Sequence, residues 1–138
     1  MIKIFIDPIY DTKTTLYYHE DVQVVLKAVR KFDIDDKGLY EDLNETLISE
    51  GAITITPTSR TALVIIPKLL TVEGGLSNFI SIVSHECFHV TCHTMRESGI
   101  YLVENSEEAF AYYLGWLNKV MLRTILADVF KSVKGKKK

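Results

Sequence analysis

The sequence predicts an α+β fold, in which a short, mostly antiparallel sheet packs on two long helices near the C-terminus. Segments with β-type composition all precede Pro67, a double glycine follows at Gly74-Gly75, and long stretches with helical spacing come after it. The chain has 138 residues, 47% of them hydrophobic, which is enough to fill one core. We therefore expect a single domain over residues 1–130 and a basic, disordered tail at residues 131–138.

Two strands and two helices are expected before residue 50. Ile2–Ile6 alternates apolar residues around a lysine and stops at Asp7-Pro8, and residues 14–18 are a weaker β candidate. Apolar residues recur at helical spacing between residues 20 and 32, which predicts an amphipathic helix. A shorter helix is expected over residues 39–49, where a glycine ends it.

A β-hairpin and the two long helices follow. Residues 52–56 and 61–66 are β-rich and flank a turn-like Pro-Thr-Ser-Arg sequence. Because Pro67 cannot donate to a strand ladder, we expect the second strand to lie at a sheet edge or to end there. The helices are expected at about residues 77–97, closed by a glycine, and from about residue 106 to at least residue 130.

Composition and charge exclude several classes of function. The net charge of −2 gives no general attraction to nucleic acid or to an anionic membrane. The N-terminus does not resemble a signal peptide, and no apolar run reaches the roughly 20 residues of a membrane span. Cys87 and Cys92 point to different sides of one helix and cannot bridge each other, which favours a reducing cytosol. We expect a cytoplasmic protein without nucleic-acid or membrane partners, and thiols that act as small hydrophobes rather than as ligands or nucleophiles.

The segment His85-Glu86-Cys87-Phe88-His89 carries the clearest chemical signal. Two histidines four positions apart lie one helical turn apart, about 40° apart in projection, and can hold one tetrahedral zinc ion. Glu86 can reach a water on that metal without being a ligand. Apolar residues occupy a broad neighbouring sector of the helix, so the histidines border the core. The alternative is that one histidine packs locally while the other faces solvent.

A zinc site also needs a third protein ligand. The candidates at the start of the last helix are Glu104, Glu107 and Glu108. Glu108 shares a helical stripe with Ala111 and Gly115, whose small size would let this helix approach the histidine helix closely, so we prefer it, with Glu107 second. The alternative for Glu108 is a capping pair with Asn105.

Other polar and aromatic residues near the motif have open roles. His93 lies one further helical turn along, too far to join the same tetrahedron, so we expect it beside the site or at the surface. The candidates for stabilising an oxyanion are Tyr101, Tyr112, Tyr113 and His93. The cluster of Tyr112, Tyr113 and Trp116 is expected in the core, with an interface patch as the alternative.

These residues resemble the gluzincin branch of zinc metallopeptidases. The matching segments are residues 84–89 and the E-x-x-A-x pattern of residues 108–112. The chain looks most similar to small, uncharacterised H-E-x-x-H proteins of bacteriophages, which combine a hairpin, the motif helix, a Gly-Ile turn and an E-x-x-A-Y-x-x-G-x-L helix. There is a weaker similarity to the ImmA/IrrE-like peptidases. The resemblance covers residues 52–117, and it departs from gluzincins at Tyr112, where those often have Asp or Asn.

The resemblance implies a small zincin-like domain that acts as a zinc peptidase on a peptide or protein substrate. Zn²⁺ would be held by His85, His89 and Glu108, and Glu86 would be the general base. Apart from the resemblance, the position of the strand at residues 61–66 just before the motif helix leads us to expect that it pairs with an extended substrate. A phage protein would work in the host bacterial cytoplasm or reside in the virion. The alternative is a non-catalytic zincin-like domain, with or without metal, that serves as a phage structural or protein-interaction module.

Overall fold

The element order is that of an α+β protein. The computed structural model describes residues 1–32, 41, 43–46, 51–66 and 73–135. The elements are β1 (Ile2–Ile6), β2 (Lys13–Tyr18), α1 (Val22–Val29), β3 (Ile53–Thr58), β4 (Thr61–Ile66), α2 (Gly75–Glu97) and α3 (Glu107–Gly135). Single turns of 3-10 helix lie at Arg30–Phe32 and Glu104–Ser106. Residues 41 and 43–46 are helical, and the rest of the short helix expected over residues 39–49 lies outside the described residues.

The four strands form one sheet in the order β1-β2-β4-β3. The β1–β2 and β3–β4 pairs are antiparallel and the β2–β4 pair is parallel, so the sheet is mostly antiparallel, as predicted. β4 ends at Ile66, but the expectation that it lies at an edge is wrong, because β2 pairs with it along its whole length. The strand at that edge is β3. Its pairing with β4 is irregular between Ile55 and Thr58, where Pro57 lies, and such a residue is tolerated on an edge strand.

The sheet carries a hydrophobic core on each of its faces. Leu16, Val64 and Ile66 contribute to the larger core, which the sheet shares with α2 and α3. Leu63 and Ile65 point to the other face and pack against α1. Because β4 is buried on both faces, its sequence is a continuous apolar run rather than an alternating one.

Helices α2 and α3 pack against each other as an antiparallel pair. Four buried residues of α2 form the core stripe, namely Phe79, Val83, Cys87 and Val90. The Sγ atom of Cys87 lies 3.5 Å from Sδ of Met121 on α3. Burial and the neighbouring Glu86 carboxylate raise the pKa of Cys87 to about 12, so this thiol stays protonated and acts as a small hydrophobe.

The turn after α2 closes on Gly99, as the sequence predicts. Gly99 has a φ of 75°, its N–H donates to the carbonyl of Arg96 at 2.9 Å, and the N–H of Ile100 donates to that of Met95 at 2.8 Å. This is the hydrogen-bonding pattern with which helices end on a left-handed residue. The chain then passes through the 3-10 turn and enters α3 at Glu107.

The C-terminal part of α3 extends further than expected. The helix continues through Lys131 to Gly135, where a disordered tail was expected from residue 131 onwards. No proline or glycine precedes Gly135 in this stretch, and lysines are favourable near a helix C-terminus. Residues 136–138 lie outside the described residues.

None of the helices in the described ranges combines the length and the apolar character that a membrane span requires.

Two glycines with different backbone conformations give a matched test of this architecture. A Cβ at Gly99 would meet no atom within 4 Å, so Gly99→Ala carries only the strain of its positive φ and should lower the free energy of unfolding by about 1 kcal/mol. A Cβ at Gly115, inside α3, would also meet nothing within 4 Å, and Gly115→Ala should raise it by about 0.5–1 kcal/mol. Urea denaturation measures both, and changes of the same sign would contradict the described backbone.

Candidate metal centre

A cleft of about 370 Å³ separates the edge strand β3 from helix α2. From β3 and the residue before it, the cleft is lined by Ala52, Ile53, Thr54 and Thr56. From α2 it is lined by His85, Glu86, His89, Cys92, His93 and Arg96. The three chemically important residues of the H-E-x-x-H motif therefore face one common space.

The two histidines of the motif converge. Nε2 of His85 and Nε2 of His89 are 3.0 Å apart, and the two rings lie at 81° to each other. Zinc–nitrogen bonds of about 2.0–2.1 Å at a tetrahedral angle would place two such atoms about 3.3 Å apart. The same separation also suits a hydrogen bond between two neutral imidazoles of opposite tautomers. Both rings are exposed to the cleft, so the pair fits zinc with only a small adjustment.

Glu86 lies beside the histidine pair, in the wall of the cleft that faces β3. Its side chain is 5% exposed, and its Oε2 accepts a hydrogen bond of 2.7 Å from the hydroxyl of Thr54. The Thr54 hydroxyl also lies 3.3 Å from the Glu86 carbonyl oxygen. This arrangement orients the carboxylate from the strand side. Thr54 was missed in the sequence because a threonine in a β-rich run is ordinary strand composition.

His93 connects the same two elements at the other end of the cleft. Its Nε2 lies 3.0 Å from the carbonyl oxygen of Thr58, and because a carbonyl can only accept, Nε2 must donate. The side chain is 6% exposed, and its Nδ1 has no hydrogen-bond partner among the described residues. His93 therefore lies beside the site, which is one of its two expected positions, and it does not join the histidine pair.

The structure does not bring the proposed third ligand to the histidine pair. Glu108 is exposed and does not line the cleft, and the same holds for Glu107 and Glu104. In the described part of the chain, which includes all three, no three His, Cys, Asp or Glu side chains are placed so that they could hold a metal. The capping alternative is not formed either, because Asn105 lies inside the 3-10 turn and not at the start of α3.

The packing of α3 explains where Glu108 lies. The buried side of the helix carries Phe110 and Leu117, and Glu108 projects from roughly the opposite side. The residues sharing its stripe, Ala111 and Gly115, are exposed, so the expectation that this stripe faces the histidine helix is wrong. The role of Glu108 as a ligand stays a prediction.

Two contacts between α2 and α3 show how far Glu108 lies from His89 along the helix axis. Cys87 meets Met121, and the Thr94 hydroxyl lies 3.3 Å from the Tyr113 hydroxyl. Extrapolated along the antiparallel pair, these contacts place Glu108 level with the end of α2. That level is about 15 Å along the axis from His89, at a rise of about 1.5 Å per residue.

Of the four oxyanion candidates, only His93 lines the cleft. The side chains of Tyr101 and Tyr112 are 66% and 76% exposed, and both lie elsewhere. Tyr113 is buried beside Thr94, and burial, as the largest cause, raises its pKa to about 12. The expectation of a core position is therefore correct for Tyr113 and wrong for Tyr112, which instead lines an apolar groove of about 320 Å³ with Ile9 and other residues.

Cys92 and Arg96 line the cleft although the sequence reading gave them no part in it. We call His85, His89, Cys92 and Arg96 the cleft stripe, because their spacing of four, three and four residues places them on one side of α2. The same spacing in the sequence could have indicated that Cys92 and Arg96 lie beside the two histidines. Cys92 is half-buried, and burial raises the pKa of its thiol, so it is a weak nucleophile.

The cleft thus combines two imidazoles that can bind a metal with one carboxylate that can accept a proton. It lies beside β3, the edge strand among the four described strands. No protein-family model matches this chain, and no curated protein or solved structure matches it either.

Proposed function

We propose that the protein is a zinc-dependent hydrolase, specifically a peptidase that cleaves peptide bonds. The observation that carries this proposal is the convergence of His85 and His89, with Nε2 atoms 3.0 Å apart, in a cleft that also contains the Glu86 carboxylate. Two imidazoles one helical turn apart supply two of the three protein ligands of a hydrolytic zinc site, and the carboxylate beside them is suited to act as its general base. The resemblance to gluzincins in residues 84–89 supports the same reading.

In this proposal the residues of the cleft have separate roles. His85 and His89 would hold the ion through Nε2, and the resemblance, though not the geometry, supports Glu108 as the third ligand. A bound zinc ion supplies a Lewis acid that lowers the pKa of water and polarises a carbonyl. Glu86 would take a proton from the attacking water and pass it to the amine that leaves as the C–N bond breaks. Because Thr54 donates to Oε2, we assign this proton to the other oxygen, Oε1.

The substrate would lie along β3. The strand was expected to be β4, but β4 is enclosed between β2 and β3, and β3 is the described strand at this edge of the sheet. An extended peptide paired with β3 would run past the histidine pair, since Thr54 and Thr56 of this strand line the same cleft. We also propose a cytoplasmic location, because Cys87 and Cys92 are free thiols.

A second candidate is a non-catalytic zincin-like domain that acts as a structural or protein-interaction module of a phage. The observation that favours it is the apolar groove beside Tyr112, where Ile9 is 77% exposed and Tyr112 is 76% exposed. Large exposed apolar side chains grouped around a groove are typical of contact surfaces. In this candidate Glu86 has no chemical role, so substitutions there separate the two functions.

Replacement of Glu86 by glutamine tests the proposed function directly. Glu86→Gln keeps the size of the side chain but removes the base, so turnover should fall by about 100- to 10,000-fold while bound zinc is unchanged. His85→Ala and His89→Ala should each lose the zinc, as measured by metal analysis of the purified protein. His19→Asn is the matched control, because His19 is exposed with a φ of 50°, a conformation that asparagine tolerates. If the protein binds zinc but Glu86→Gln changes no measured activity, the result would instead support the non-catalytic candidate.

The third ligand is tested by three parallel substitutions. On the resemblance, Glu108→Gln should lower zinc affinity by roughly ten-fold or more, whereas Glu104→Gln and Glu107→Gln should leave it unchanged. Competition with a chelator of known affinity measures all three. An unchanged affinity in Glu108→Gln would remove Glu108 from the site and would agree with its exposed position on α3.

The role of β3 is tested with two threonines of the same strand. Thr56 lines the cleft and is exposed, so Thr56→Lys should weaken peptide binding to the Glu86→Gln protein several-fold, because the longer side chain fills the space of the added strand. Thr58 is also exposed but does not line the cleft, so Thr58→Lys is the control. Zinc content should be unchanged in both. Equal peptide affinities, measured by calorimetry, would argue against substrate pairing with β3.

A further inference from the structure

We propose that Arg96 binds a carboxylate of the substrate, so that the cleft selects peptides with a negative charge a few residues from the scissile bond. The inference rests on the proposed peptidase function and adds the substrate class to it. The carboxylate is either an acidic side chain or the free C-terminus of a short peptide, since both present the same two oxygens. The juxtaposition that carries the proposal is a guanidinium and a histidine pair on one side of α2, in one cleft.

The spacing along α2 sets where the charge would be. Arg96 lies seven residues after His89, which corresponds to about 10 Å along a helix axis at about 1.5 Å per residue. An extended peptide advances about 3.3 Å per residue, so this separation spans roughly three residues. A long arginine side chain adjusts that reach by one residue in either direction. The expected carboxylate therefore lies two to four residues from the bond that is cut.

The charges in the cleft make Arg96 available for this role. Among the described residues that line the cleft, Arg96 is the only arginine or lysine and Glu86 is the only carboxylate, and Glu86 is bound by Thr54. Arg96 forms an ion pair with its neighbour Glu97, with Nε and Oε1 4.0 Å apart and side chains 64% and 36% exposed. Such an exposed pair between adjacent residues holds the guanidinium weakly. Its planar fork of N–H donors is suited to a carboxylate, which it can bind through two hydrogen bonds.

A simpler role for Arg96 is to stabilise the end of its helix. Arg96 lies in the last turn of α2, where a positive charge interacts favourably with the helix dipole. That role needs only a positive charge, and lysine supplies it equally well. Carboxylate recognition through a planar fork distinguishes arginine from lysine, so Arg96→Lys separates the two roles.

The test uses the full-length, zinc-loaded protein and matched peptide libraries. Each peptide pair differs only by Asp against Asn, or Glu against Gln, at one position within four residues of the scissile bond, and each is made as a free acid and as a C-terminal amide. We expect the Asp and Glu peptides to be cleaved roughly two- to five-fold faster than their Asn and Gln partners, the range of an exposed charge pair. Arg96→Gln should remove this preference, Arg96→Glu should reverse it in favour of the Asn and Gln peptides, and Arg96→Lys should keep only part of it.

Binding without turnover provides the second measurement. Fluorescence anisotropy measures the binding of labelled peptides to the Glu86→Gln protein. The Asp and Glu peptides should bind more tightly than their Asn and Gln partners, and adding Arg96→Gln should remove that difference. Arg123→Glu on α3 is the matched control, because Arg123 is exposed, lies outside the cleft and gives the same change in net charge as Arg96→Glu. The free-acid and amide arms show whether the bound carboxylate is a side chain or the C-terminus.

The outcomes separate this inference from the proposed function. Cleavage that depends on Glu86 and zinc binding that depends on His85 and His89, with no acidic preference or with one that persists in Arg96→Gln, would overturn the role of Arg96 and leave the peptidase in place. A preference that survives in full in Arg96→Lys would assign the effect to charge alone and would also overturn recognition by the guanidinium fork. Absence of zinc and of cleavage in the wild-type protein would overturn both proposals together.

Discussion

The rest of the site depends on one constraint, which is the direction in which each face of helix α2 points. The core stripe must be buried between the sheet and α3, and it lies about 150° around the helix from the cleft stripe, at about 100° per residue. Burying one stripe therefore turns the other toward the edge of the sheet. Because fully burying a large apolar side chain is worth about 1.5–3 kcal/mol, Phe79, Val83 and Val90, with Cys87 between them, hold this orientation firmly. The histidines converge over the cleft because the core leaves them no other direction.

The same orientation of α2 places two polar residues at the border between the two stripes. Glu86 and His93 are 5% and 6% exposed, and a buried polar group without a partner costs about 1–3 kcal/mol. Both find partners on β3, Glu86 through the hydroxyl of Thr54 and His93 through the carbonyl of Thr58. The edge strand is therefore fixed to α2 by Glu86 at one end of the cleft and by His93 at the other. A shift of β3 would move the Glu86 carboxylate relative to the histidine pair.

The features that could be predicted from the sequence are those that depend on short-range periodicity. The α+β class, the two long helices, the turn at Gly99 and the convergence of His85 with His89 all follow from spacings within a few residues. The edge strand could not be predicted in this way, because the position of β4 depends on its parallel pairing with β2, more than forty residues earlier in the chain. Thr54 was missed for the same reason, since its role exists only where β3 meets α2.

The position of Glu108 could not be predicted from local spacing. Small residues are as compatible with an exposed helix face as with a close helix contact, so Ala111 and Gly115 did not determine which side of α3 faces α2. The large residues did, because burying Phe110 and Leu117 turns Glu108 outward. Bringing Glu108 to the histidines would require α3 to rotate by about half a turn and to slide by about 15 Å, which would expose those side chains at about 1.5–3 kcal/mol each. Ligation by Glu108 would therefore require this packing to change, and zinc would have to contribute more free energy than the helix contact it breaks.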